Sequence, residues 1–184
     1  MMKKLGIILI FAVTVCSVNA QDKYFTKTGT VNFEASANAA FEEVKAANKT
    51  VTAILNTANG EIASLVLVKG FRFKNALMEE HFNENYMDSD KYPKATFKGS
   101  IENFDVNQLS SENKTYQLKG ILTSRGKDKN ITTDVVLKKE GATIKLVSDF
   151  VVTPQEFGIS IPKIVSDKIA KEIIVTLDFN LIKR

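Results

Sequence analysis

Five consecutive stretches of this chain alternate apolar and polar residues with a period of two, a pattern satisfied by extended strands that bury one face. Between Lys94 and Glu102 the charged Lys94, Lys98 and Glu102 share one parity, while Ala95, Phe97, Gly99 and Ile101 take the other. Tyr116, Leu118, Gly120 and Leu122 then oppose Thr115, Gln117, Lys119 and Thr123. Ile131, Thr133, Val135 and Leu137 oppose Thr132, Asp134 and Lys138, and Ile144, Leu146, Ser148, Phe150 and Val152 oppose Lys145 and Asp149. The last run is the sharpest, with Ile173, Val175, Leu177, Phe179 and Leu181 against Glu172, Thr176, Asp178 and Asn180.

Three earlier strands, Phe25–Ser36, Thr50–Asn56 and Glu61–Lys69, are less sharply patterned and bring the expected number to eight. Asn59-Gly60 joins the last two as a hairpin turn, since both residues accept the positive φ that a tight turn needs. Arg125-Gly126-Lys127-Asp128 and Glu140-Gly141 mark later turns, so neighbouring strands pair antiparallel. A run of one-faced antiparallel strands is best closed into a barrel, which leaves no free edge. Two segments depart from the alternation. Asn75 to Met87 reads as a short helix capping the barrel, with Leu77, Met78 and Phe82 on one side. Ser160 to Lys171, with Pro162, reads as a loop containing at most one helical turn.

The N-terminus reads differently. Lys3 and Lys4 precede an apolar run from Leu5 to Val18, followed by Asn19 and Ala20, the order of a secretory signal peptide cleaved after Ala20. At about fourteen residues the run is shorter than the roughly twenty of a membrane-spanning helix. Residues 1–20 are therefore expected to be removed and 21–184 to form one domain in the periplasm or outside the cell. The sole cysteine, Cys16, lies in this leader, so no disulfide is expected in the mature chain. Two of the 25 basic residues also fall in the leader, which brings the mature chain close to balance with its 21 acidic residues. The charges are interleaved, and no basic stretch suits nucleic acid.

Eight strands are near the size at which a barrel is either filled by its own side chains or holds one small ligand. The small residues Ala95, Gly99, Gly120 and Ser148 on the inward parity favour unfilled space; large neighbours closing over them would favour a filled core. If a tunnel exists, parity lines it with Phe33, Phe97, Ile101, Leu118, Gly120, Leu122, Leu146, Phe150, Val175 and Phe179. Such a lining suits a hydrophobic small molecule or lipid. On the outward parity Val136, Val147 and Ile174 form an apolar patch suited to a partner or a homodimer.

Four segments in order resemble a known family. His81 to Asp88 followed by Lys91-Tyr92-Pro93-Lys94-Ala95-Thr96-Phe97 is similar to the "HL…FFD…YPxATF" signature of the YceI-like, polyisoprenoid-binding family. Tyr116 to Gly126 is similar to its "G-x-LTIRG" strand and turn, and Phe157-Gly158-Ile159 with the last strand to its "FGI" stretch and closing strand. The resemblance implies an all-β, eight-stranded antiparallel lipocalin-like barrel holding an isoprenoid or similar amphiphile, in a family often exported. Two positions depart from the family: Gly29-Thr30 stands where a His-Ser is usual, and Thr153-Pro154 where an Arg is usual before "FGI". Polar head-group contacts at those positions do not carry over.

His81, the only histidine, falls at the family's His position. It either meets a ligand at the rim, with Phe82 as part of a cap, or hydrogen-bonds locally to orient the helix. Arg125 is a turn residue that could also reach an anionic head group at the rim. One histidine without cysteine does not make a zinc site, Asp88-Ser89-Asp90 lacks the pattern of a calcium loop, and no nucleophile–base spacing points to an enzyme. The expectation is an exported lipid carrier or store that requires no cofactor, with a filled-barrel periplasmic interaction or stress-response module as the alternative.

Overall fold

The computed structural model describes residues 23–37 and 43–184; the expected leader, 1–20, lies outside the described residues. In chain order the strands are β1 (Lys23–Ser36), β2 (Lys45–Asn56), β3 (Glu61–Leu67), the two-residue β4 (Arg72–Phe73), β5 (Lys94–Ile101), β6 (Lys114–Ser124), β7 (Lys127–Glu140), β8 (Thr143–Val152) and β9 (Ile169–Lys183). The eight long strands follow the order β1-β9-β8-β7-β6-β5-β3-β2, and β1 also pairs with β2, which closes the sheet. All the pairings are antiparallel. The expected eight-stranded antiparallel barrel is what forms, with β4 laid against the start of β2.

Turn chemistry sets the register. In the β6–β7 hairpin, Arg125 and Gly126 both have positive φ, 46° and 70°. That is the conformation whose twist matches a two-residue connection between antiparallel strands. The pairing then runs without a slip from Ser124 opposite Lys127 to Lys114 opposite Leu137.

Three departures from the expectation stand out. β2 begins at Lys45 rather than Thr50 because its next inward position is polar: Asn48 is fully buried, its Nδ2 donating to the Leu67 carbonyl at 2.9 Å and its Oδ1 accepting from the Thr50 N–H at 2.9 Å. A satisfied amide stands where the alternation would have placed an apolar residue. The helical segment divides into α1 (Ala76–His81), capped by the Asn75 side chain accepting from the Leu77 N–H, and a wider π-type turn over Phe82–Tyr86. The expected loop, Ser160 to Lys171, contains one 3-10 turn, Lys163–Val165, and β9 begins within it at Ile169.

The barrel interior has two unlike halves. At one end Ile101, Leu146 and Phe179 pack with Leu55, Val135 and Leu181, all at most 2% exposed. At the other end, where β1, β3 and β8 finish and β5, β7 and β9 begin, the interior is hollow.

Candidate functional site

The hollow end encloses a cavity of about 530 Å³, within the roughly 300–1,000 Å³ usual for small-molecule sites. Its wall is built by strand ends, each contributing its inward parity: Phe33 from β1, Val66 from β3, Leu118 and Leu122 from β6, Phe150 from β8, and Val175 and Leu177 from β9. The mouth is framed by α1 with its π-type turn and by the segment between β8 and β9.

Four phenylalanines form one side of the mouth. The Phe33 ring stacks on Phe82 with centroids 5.3 Å apart and 26° between planes. Phe71 and Phe73 meet Phe33 edge-on at 5.3 and 5.6 Å, and both also contact Phe82. These are the preferred geometries of aromatic pairs. They fix α1 to the barrel together with Glu79, whose carboxylate accepts from Arg72 Nη1 at 2.9 Å and from the Phe73 N–H at 3.2 Å. On the other side, Thr153 and Glu156 form a capping box that starts a short 3-10 turn, Pro154–Phe157, from which Pro154 and Phe157 reach the cavity. Glu156 also pairs with Lys129 at 2.6 Å. First that ammonium and then the Thr153 N–H hold the Glu156 carboxyl below its usual range.

Of the residues placed inside by parity, Phe33, Phe97, Leu118, Leu122, Phe150 and Val175 line the cavity, and His81 and Phe82 join them at the mouth. Ile101, Leu146 and Phe179 do not; they lie in the packed end. Gly120 is covered: a Cβ there would stand 2.5 Å from Cζ of Phe97, whose ring occupies the space left by Gly120 and Gly99. The small inward residues therefore have three fates. Ala95 borders the cavity, Gly99 and Gly120 are filled over, and Ser148 is buried with its hydroxyl donating to the Asp134 carbonyl at 2.7 Å. Tunnel and filled core, alternatives in the sequence, divide between the two halves of one barrel.

Arg125 stands outside the cavity wall. Its Nη1 donates to the Gly158 carbonyl at 2.7 Å and its guanidinium lies 5.6 Å from the Tyr92 ring centroid, so it ties the β6–β7 turn to the segment after β8. His81 is exposed at the end of α1, and among the described residues its imidazole makes no hydrogen bond. Parity missed Phe71, Phe73, Phe157 and Ile159, which lie in short elements or turns. The Phe71-Arg72-Phe73 spacing was the one local signal available for the first pair.

Chemically the lining is apolar. Among the described residues its polar members are scattered hydroxyls and amides, its basic groups are His81 and Lys168, and none is a carboxylate. Such a wall holds an apolar chain by desolvation.

A closed antiparallel barrel, packed at one end and open to an apolar cavity at the other, is a lipocalin-like barrel. The YceI-like domain model matches residues 17–181, and the chain belongs to that family. Among solved structures, a polyisoprenoid-binding domain from Saccharophagus degradans, described as implicated in plant cell wall breakdown, superposes with a TM-score of 0.76 at 12% identity, covering 88% of this chain and 98% of its own. BcnA of Burkholderia cenocepacia follows at 0.68 and 18%, covering 83% and 95%. The YceI protein of Campylobacter jejuni gives 0.60 and 17%, covering 78% and 86%. At these identities the likeness is one of fold. No curated protein matches the chain. Among the described residues no helix is long and apolar enough to cross a membrane.

Proposed function

We propose that this protein is an exported lipid-binding protein that holds a long apolar chain, an isoprenoid, in the open half of its barrel for carriage or storage. The observation that carries the reading is the cavity itself: about 530 Å³, walled by aliphatic and aromatic side chains, with no carboxylate among the described residues that line it. Each methylene transferred into such a wall gains about 0.8 kcal/mol, so chain length supplies affinity and the rim selects the head group. Because the far half is packed, the ligand enters tail first, its tail against Phe97 and Leu118 and its polar end between α1 and the segment leading into β9. Membership of the YceI-like family supports lipid as the ligand class. The leader-like order of Lys3, Lys4 and the apolar run to Val18 supports export to the periplasm or beyond. The activity proposed is binding without catalysis or a required cofactor.

The test is native mass spectrometry of the mature protein, purified without detergent from the exported fraction of its host, followed by organic extraction. A stoichiometric apolar adduct lost on denaturation is the expected result and identifies the ligand. A clean apo mass, unchanged after incubation with isoprenoid quinones and alcohols, would overturn the reading.

A further inference from the structure

We propose that the protein exchanges its ligand by setting the cavity mouth on a lipid bilayer, with Ile164 and Leu77 as the side chains that enter it. The proposal rests on the reading of the cavity as a lipid site.

The two most exposed large hydrophobic side chains of the described residues are Ile164, 90% exposed, and Leu77, 56% exposed. Both belong to the mouth. Leu77 lines the cavity from α1, and Ile164 sits between Ile161 and Val165, which line it from the opposite-numbered end of the chain. Single exposed hydrophobics are ordinary on protein surfaces. Two that exceed all the others and flank one apolar opening make a continuous path from solvent-facing rim to cavity wall. A lipid tail passing along that path leaves a bilayer without crossing water, which removes the main barrier to its transfer.

The turn that carries Ile164 is held in place. The Val165 N–H donates to the Pro162 carbonyl at 3.1 Å, the Ser166 hydroxyl donates to the Lys163 carbonyl at 2.8 Å, and the Ala37 N–H donates to the Lys168 carbonyl at 3.2 Å, which ties the turn to the end of β1. The isoleucine is thus presented outward on a braced backbone. Lys163 and Lys168 flank it, and neither forms an ion pair among the described residues. Asp167 offsets one of these charges, so insertion of the apolar tip supplies most of the attraction and the lysines add a preference for anionic lipid.

The experiment uses the mature protein with vesicles of phosphatidylethanolamine and phosphatidylglycerol carrying a fluorescent isoprenyl alcohol. Three quantities are read: co-sedimentation with the vesicles, the rate of probe transfer to the protein, and equilibrium uptake of a short-chain probe from solution. Ile164→Ser is expected to lower co-sedimentation and transfer rate about tenfold, in line with losing one inserted aliphatic side chain, while uptake from solution stays at the parental level. Leu77→Ser is expected to reduce vesicle binding as well, and Ile121→Ser, on the outer face of the barrel, to leave it unchanged. Wild-type protein that takes up probe from solution but does not sediment with vesicles overturns the docking alone, as does an Ile164→Ser protein that transfers at the parental rate. Absence of uptake by either route overturns the lipid site on which the proposal rests.

Discussion

The ring of Phe97 lies in the notch between Gly99 and Gly120: a Cβ on Gly120 would stand 2.5 Å from the Phe97 Cζ and 2.5 Å from the Lys98 carbonyl oxygen. The two glycines face each other across the β5–β6 pair, so their missing side chains make a single depression, and the ring fills it. The Lys98 carbonyl is backbone held in the sheet and cannot move aside cheaply. Gly120→Ala is therefore expected to cost about 1–3 kcal/mol of stability, the range typical of overpacking, seen as a lower urea midpoint with an unchanged slope. An alanine variant as stable as the parent would show that the notch is open. A bulkier residue at 120 would disturb the strand pairing before it blocked the cavity.

Phe97 also ends the cavity. Ile101, the next but one inward residue on β5, belongs to the packed half. Removing the ring would join the notch to the cavity and lengthen the site. Phe97→Ala is expected to lower stability by about 3–5 kcal/mol and to shift preference toward longer isoprenyl alcohols in a competition series. Phe97→Leu, which retains most of the volume, is expected to keep the fold and show a smaller shift. Identical chain-length preference in parent and leucine variant would remove Phe97 as the limit on ligand length.

The strands from β5 to β9 were legible in the sequence because each has one wet face and one buried face, and period-two alternation records that directly. The start of β2 was not, because Asn48 meets its hydrogen-bonding needs inside the barrel and so reads as polar where the position is inward. Depth along the barrel axis was also hidden. Phe179 and Val175 share a strand and a parity, as do Leu146 and Phe150, but one of each pair lies in the packed end and the other on the cavity wall. Parity specifies a face and carries no information about height. The mouth was the least legible part, since Phe71, Phe73 and Phe157 come from short elements whose position depends on contacts distant in sequence.

Phe82 links the helical segment to the barrel through contacts with Phe33, Phe71 and Phe73. It is only partly buried, so its removal should act on the mouth more than on the barrel. Phe82→Ala is expected to weaken binding of an isoprenyl probe by about tenfold, the loss of an aromatic wall of this size. Hydrogen exchange should rise over residues 76–86 while β6 to β9 keep their protection. Unchanged exchange in 76–86 would mean that the Asn75 cap and the Arg72–Glu79 pair hold the segment without Phe82.

Arg125 combines a positive φ with a guanidinium that holds the Gly158 carbonyl. Arg125→Ala removes a charge-assisted hydrogen bond and the contact with Tyr92, with an expected loss of about 1–3 kcal/mol. Arg125→Lys should recover little, because an ammonium cannot match the planar fork of the guanidinium. Thermal melts of the two variants check this; a lysine variant that melts with the parent would assign the stability to charge rather than geometry.

Acid should loosen the opposite side of the mouth. Glu156 is held below its ordinary value of about 4.5 by the Lys129 ammonium and then by the Thr153 N–H. A carboxyl with a lowered folded pKa contributes stability that is complete above the unfolded value and is lost as the pH falls through the folded one. The pair is partly exposed, so its share is modest, about 0.2–1 kcal/mol, with the capping bond beside it. Glu156→Gln is thus expected to melt below the parent at neutral pH, with the gap narrowing as the pH drops below about 4.5 and closing once the parental carboxyl is protonated. Pro154 and Phe157 reach the cavity from the turn this residue caps. Ligand affinity of the parent should therefore fall over the same interval, while the glutamine variant binds more weakly at neutral pH and changes less on acidification. Melts and probe titrations run side by side across that range check both; a gap that persists undiminished at the acid end would mean that the carboxylate is not its source.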